Sequence, residues 1–182
     1  MKKLFAEQAD TLKVMTYATD IRPITSPIPL SQALEGVQGL DWSLCPDTEL
    51  TVSGVSVSSI DIEDNWLFVA IPGLVQHGIR FLHAAVEAGA TAVVTDREGS
   101  ERAREMNPDI PIVIVADPRR ASATIAANIY RHPASALKTA AVTGTNGKTT
   151  TTYPLRSILR STFNDPALCG SVEVRVGDLV LN

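Results

Sequence analysis

Ala141-Val-Thr-Gly-Thr-Asn-Gly-Lys-Thr-Thr-Thr-Thr152 is the stretch from which the rest of the chain is placed. Ahead of it, Leu137-Lys-Thr-Ala-Ala-Val142 reads as a short buried strand; behind it, Thr149 to Ser161 reads as a helix. Strand, glycine turn, Lys-Thr and helix follow one another in the order of a phosphate cradle. Glycines let successive backbone N–H groups turn inward, and a helix N-terminus adds roughly half a positive charge. Lys148 then reaches the outer phosphates, and the Thr149 hydroxyl is placed for Mg2+. The strict P-loop pattern has a glycine where this chain has Val142; what stands here is the shorter Gly144-x-x-Gly147-Lys148-Thr149. An ordinary strand-to-helix turn is the alternative reading.

The chain has 182 residues, enough for one large domain or for a smaller domain and part of another. A formal charge of −4, with no block of Lys or Arg, argues against a nucleic-acid surface. The start, Met1-Lys-Lys-Leu-Phe-Ala-Glu-Gln-Ala-Asp10, lacks the apolar run of a signal peptide, and no stretch approaches a membrane span. Cys45 and Cys169 have neither metal-ligand spacing nor a disulfide framework, so two thiols in a reducing cytoplasm are expected.

Residues 1 to 29 carry a weak helical pattern broken by Arg22-Pro-Ile-Thr-Ser-Pro-Ile-Pro29. Leu30 to Val37 predicts a short helix capped at Ser31. Glu49 to Val57 alternates as a half-buried strand, and Trp66-Leu-Phe-Val-Ala-Ile71 is an apolar run expected of a strand covered on both faces. Helices then alternate with strands. Ile79 to Ala88 is helical with Phe81, Leu82, Ala85 and Val86 on one side; Thr91–Thr95 is a strand; Ser100–Met106 is a short polar helix; Pro111–Val115 is a strand. Asp117 caps a helix opened by Pro118 and ended by His132-Pro133. This alternation predicts an α/β fold with a largely parallel sheet. We expect a first domain over 1–136 and, over 137–182, the opening strand–P-loop–helix of a nucleotide-binding domain, closed by a hairpin turning at Gly177-Asp178. A single strand–helix unit buries little apolar surface, so the second domain is expected to be truncated; an accessory element packed on the first domain is the alternative.

Thr-Gly-Thr-Asn-Gly-Lys-Thr-Thr-Thr resembles the Mur ligases of bacterial cell-wall synthesis, and within them the branch that adds the third peptide residue. Leu67-Phe-Val-Ala70, Pro72-Gly73, His77-Gly78, Gly89-Ala90, Ala92-Val-Val94 and Tyr130-Arg-His-Pro133 follow the family's order. The branch that adds the terminal dipeptide usually has Ser where this chain has Thr145. The resemblance implies a small α/β domain holding a UDP-MurNAc-dipeptide, and a central domain using ATP and Mg2+ to form an acyl phosphate that a diamino acid attacks. Lys148 would serve catalysis, and Gly144, Thr145, Asn146, Gly147, Lys148, Thr149 and Thr150 would bind ATP. The N–H groups of Thr145, Asn146 and Gly147 would hold the β-phosphate, and Thr149 the Mg2+. Ser59 and the backbone near Val57 would meet the uridine-muramoyl end. A cytoplasmic monomer is implied.

Three departures stand out. The family's Asp-Ser-Arg is Ser58-Ser59-Ile60 here, its Gly-Asp is Asn65-Trp66, and Pro154 lies inside the P-loop helix. The loop Gly73-Leu-Val-Gln-His-Gly78 keeps the glycines but lacks a distinctive polar pair; His77 there is expected to meet a ligand or to be solvated. His83 and His132 form no metal pattern with it. A non-catalytic module with a uridine-type domain and a vestigial P-loop is the competing functional reading.

Overall fold

The computed structural model describes residues 17–18, 25–45, 47–162 and 166–181, which group into two compact units: Pro23–Lys138, and Thr139–Asn182 together with the N-terminal segment. The weak helical pattern at the N-terminus lies outside the described residues, save for β1 (Tyr17–Ala18), a strand of the second unit.

In the first unit the chain runs β2 (Ile28–Pro29), α1 (Leu30–Ala33), β3 (Asp41–Leu44), β4 (Thr51–Val52), β5 (Gly54–Ser56), β6 (Trp66–Val69), α2 (Leu82–Glu87), β7 (Ala90–Thr95), α3 (Arg97–Met106), β8 (Ile112–Ile114) and α4 (Pro118–Ile129). The main sheet has the order β3-β8-β7-β6-β5, parallel from β5 to β8 with β3 antiparallel on its edge; β2 and β4 form a separate pair. Strand side chains alternate between faces. Leu67, Val69, Val94 and Val113 meet α1 and α4 through Leu30, Ala33, Ala121, Ile125 and Ile129. Trp66, Phe68, Val93 and Ile112 meet Ile79, Leu82, Ala85 and Ala103 on the opposite face. The apolar runs therefore belong to strands covered on both sides, as expected.

Several boundaries differ from expectation. Ser31 lies inside α1 rather than at its cap, because the Leu30 and Ser31 N–H groups already donate to the carbonyls of Leu50 (2.6 Å) and Thr48 (3.1 Å). The run 49–57 divides into β4 and β5 at Ser53, whose N–H turns to the Asn65 carbonyl at 2.8 Å. Asn65 itself sits at φ +66°, a left-handed conformation that asparagine tolerates better than most residues. Gly78–Phe81 forms a 3-10 turn ahead of α2; its tighter winding rotates Phe81 outward, leaving it 42% exposed with the Arg80 guanidinium 5.4 Å from its ring centre. The polar helix begins three residues early, at Arg97, because the Asp96 carboxylate accepts from the Gly99 N–H at 2.8 Å. Asp117 caps α4 as expected, accepting from the Arg120 N–H at 3.1 Å.

The second unit contains β1, α5 (Lys148–Thr162), β9 (Leu168–Cys169), β10 (Val174–Val176) and β11 (Leu179–Leu181), in a sheet of order β1-β11-β10-β9. The hairpin turns at Gly177-Asp178, as predicted, with Gly177 at φ +57°. The strand expected over 137–142 is absent: the segment has no described strand beside it to take up its backbone groups, and Leu137 is 64% exposed. Helix α5 continues through Pro154 and is tied to the hairpin at its far end. Arg156 donates from Nε to the Pro166 carbonyl at 3.2 Å and from Nη2 to that of Gly177, and Arg160 pairs with Asp178 at 2.9 Å. Pro154 is exposed and deprives the Thr150 carbonyl of its helical donor. Replacing Pro154 with Leu is expected to stabilise this unit by about 2 kcal/mol, the interior-proline cost less the proline's restriction of the unfolded chain. Thermal melting by circular dichroism checks this; an unchanged or lower midpoint means that α5 already absorbs the proline.

Candidate functional site

Gly144 and Gly147 adopt φ +150° and +79°, the second in the left-handed region that side chains avoid, and together they curl the backbone from the extended segment into α5. The Gly147 carbonyl accepts from the Thr151 N–H at 2.9 Å. The N–H groups of Lys148, Thr149 and Thr150 therefore precede the helical ladder, where a helix start leaves donors open. The Lys148 side chain folds back over the loop, its ammonium 2.6 Å from the Gly144 carbonyl and 3.4 Å from that of Thr145. The charge is thus held above the loop rather than extended into solvent.

A cleft of about 200 Å³ opens beside this turn, entirely within the second unit. Lys148, Thr149 and Thr152 border it from α5, and Ser171 and Glu173 from the segment that enters the hairpin. Of the expected phosphate-binding residues, Lys148 and Thr149 face the cleft, Gly144, Thr145, Asn146 and Gly147 form the exposed turn at its side, and Thr150 is exposed in the first turn of α5.

Tyr153 and Glu173 were not singled out for this role from sequence. Tyr153 lies one helical turn beyond Thr149 and so shares its face of α5, a spacing legible in retrospect. Glu173 carries no such signal, since only the hairpin brings it back to the helix. Arg175 grips both Glu173 oxygens at 3.0 Å, with the two side chains 18% and 14% exposed. The Arg175 guanidinium holds the Glu173 carboxyl below the ordinary carboxylate range, with the Tyr153 hydroxyl contributing in the same direction. Burial, followed by the neighbouring Glu173 carboxylate, pushes the Tyr153 phenol up. A depressed carboxyl pKa contributes stability that is present above its unfolded value and lost as pH falls through the folded one. Glu173→Gln is accordingly expected to remove part of the acid sensitivity of the second unit below about pH 4.5. Melting curves between pH 3 and 7 check this, and parallel profiles for both proteins would show that the pair does not couple to folding.

Val57 and Ser59 lie in the first unit, after β5. Val57 is 54% exposed, and the half-buried Ser59 opens a 3-10 turn, Ser59–Asp61, whose other two residues are exposed.

His77 is neither solvated nor presented to a ligand. It is buried, its Nδ1 accepts from the Ile79 N–H at 3.0 Å, and its Nε2 lies 3.1 Å from Asp96 Oδ1. An accepting Nδ1 places the ring proton on Nε2, so the imidazole donates to the carboxylate that caps α3. A second, more open cleft of about 410 Å³ lies beside Asp41, Asp96 and Arg97. Its charged groups all have partners: Arg97 pairs with Asp41 at 3.2 Å, Glu98 with Arg102 at 2.6 Å, and Asp96 accepts from the His77 imidazole at 3.1 Å. Among the described residues, no group of three His, Cys, Asp or Glu side chains is arranged to hold a metal, and no helix is long and apolar enough to cross a membrane.

Residues 51–130 match the family model described as Mur ligase family, catalytic domain. The chain is similar to Mur ligases and matches the N-terminal part of its relatives. Over 145 residues it is 37% identical to UDP-N-acetylmuramoyl-L-alanyl-D-glutamate–2,6-diaminopimelate ligase of Caldanaerobacter subterraneus subsp. tengcongensis, covering 80% of this chain and 29% of that one. It is 39% identical to UDP-N-acetylmuramyl-tripeptide synthetase 2 of Oceanobacillus iheyensis over 66% of this chain and 24% of the relative. The chain thus spans less than a third of the length of these curated relatives. A crystal structure of MurF from Acinetobacter baumannii superimposes with a TM-score of 0.56 at 26% identity, covering 83% of this chain and 31% of that one.

Proposed function

We propose that this chain supplies the N-terminal part of an ATP-dependent amide ligase that adds the third amino acid to a UDP-MurNAc-dipeptide in peptidoglycan synthesis. The observation that carries the reading is the Lys148 ammonium, folded over a glycine turn at the start of α5 and sharing one cleft with the Thr149 hydroxyl. Residues 137–182 are assigned to the nucleotide and residues 1–136 to the UDP-sugar, with Ser59 and the Val57 backbone at its uridine-muramoyl end.

In this assignment the N–H groups of Thr145, Asn146 and Gly147 cradle the β-phosphate, and Thr150 adds a donor at the helix start. Lys148 neutralises charge that develops on the transferred γ-phosphate. The substrate carboxylate attacks that phosphorus and ADP leaves; the amine of a diamino acid then attacks the acyl carbon and phosphate departs. The hydroxyls of Thr149, Thr152 and Ser171 and the Glu173 carboxylate are hard oxygen donors of the kind Mg2+ prefers, so the cleft suits that ion, with Thr149 as the residue to hold it. Mg2+, when bound, supplies charge neutralisation between the phosphates. The similarity to tripeptide synthetases over most of the chain supports this reading above that of a non-catalytic module.

Calorimetric titration of the chain with ATP·Mg2+, and separately with UDP-MurNAc-dipeptide, tests the two-site assignment. Each ligand is expected to bind in the presence of saturating amounts of the other, and Ser59→Tyr to weaken only the UDP-sugar. Competition between the two ligands would show that they share a site and would sink the assignment.

A further inference from the structure

We propose that Glu173 is a specificity-determining residue that makes the P-loop cleft select metal-bound over metal-free nucleoside triphosphate. The inference rests on the nucleotide reading given above. Among the described residues bordering the cleft, Lys148 and Glu173 carry the charges: one ammonium attracts phosphate oxygens, and one carboxylate repels them. Arg175 holds that carboxylate through both oxygens at 3.0 Å, yet it is not among the residues facing the cleft. A carboxylate has about four acceptor positions, so a bidentate guanidinium leaves capacity on the open side. The geometry fixes a negative group against the cleft and sets its counter-charge behind it.

A bare triphosphate entering beside Thr149 therefore meets like charge. The same triphosphate carrying a divalent cation presents positive charge to Glu173, and the repulsion becomes attraction. With one unit charge acting across a partly solvated cleft, this preference is expected to be about tenfold in affinity. Tyr153, whose hydroxyl lies beside the carboxylate, completes the wall without changing its charge.

The test is calorimetry on the full 182-residue chain with ATP in excess Mg2+ and with ATP in EDTA. Glu173→Gln is expected to tighten metal-free ATP and to weaken ATP·Mg2+, each about threefold, so that the roughly tenfold ratio of the two affinities collapses. Tyr153→Phe, which keeps the carboxylate, is expected to preserve the wild-type ratio. Should Glu173→Gln fail to fold with Arg175 left unpaired, the double variant Glu173→Gln/Arg175→Met removes both charges and should show the same collapse. An unchanged ratio in a folded Glu173 variant overturns the inference while the nucleotide reading stands. A Lys148→Ala protein that binds ATP as tightly as wild type overturns the nucleotide reading itself, and a wild-type chain that binds neither form overturns both.

Discussion

Replacing Gly54 with alanine is expected to destabilise the 23–138 unit by about 3 kcal/mol, the upper end of the usual overpacking cost. Gly54 and Trp66 are register partners in the parallel pair β5–β6, and the indole lies directly over the glycine. A Cβ on Gly54 would stand 2.6 Å from Trp66 Nε1 and nearer still to Cδ2 and Cε2. Neither partner has room to yield. Trp66 is 8% exposed and belongs to the cluster containing Phe68, Ile62 and Leu82, while β5 is held to β6 by ladder hydrogen bonds. For a unit of this size the loss corresponds to a fall of roughly 10 °C in melting midpoint. Differential scanning calorimetry measures it, and Gly54→Ala combined with Trp66→Leu should recover part of the deficit. An unshifted midpoint for the single variant would mean that the indole does not cover Gly54.

The same pair shows which parts of the fold were legible in the sequence. Trp66 stood out as a departure from the family's Gly-Asp, but its partner lay twelve residues upstream on another strand. Apolar runs covered on both faces, the Asp117-Pro118 start of α4 and the Gly177-Asp178 turn depend on neighbours in sequence, and each was found where the local pattern placed it. What needed pairing or packing information was missed. Asp41-Trp-Ser-Leu44 has no clean alternation and becomes β3 only because the edge of β8 accepts it. Leu137–Val142 has the composition of a strand, but no described neighbour offers the hydrogen bonds that make one. The expectation that His77 meets a ligand or solvent fails because neither Asp96 nor the Ile79 N–H can be assigned to it before β7 and α3 are placed. Within the candidate site, the residues consecutive along the glycine turn could be read directly. Glu173 and Arg175 could not, because a hairpin returns them to the cleft.

Lys148→Ala is expected to lower the affinity for ATP·Mg2+ on the order of 100-fold, the usual consequence of removing a charge-assisted contact to phosphate. The ammonium already sits over the turn, held by the carbonyls of Gly144 and Thr145 at 2.6 and 3.4 Å, so little ordering remains to be done when phosphate arrives. Its removal takes away both the charge and the tie that keeps the turn closed, and the two losses need separating. Lys148→Gln retains a donor for the loop carbonyls without the charge. It should bind nucleotide nearly as weakly as Lys148→Ala if charge dominates, and close to wild type if loop closure does. Both variants should melt within about 0.5 kcal/mol of wild type, since residue 148 is exposed. Calorimetric titration with ATP·Mg2+, accompanied by melting curves, provides the measurement. Undiminished affinity in folded Lys148→Ala protein would place the phosphates away from the glycine turn, and with them the catalytic assignment.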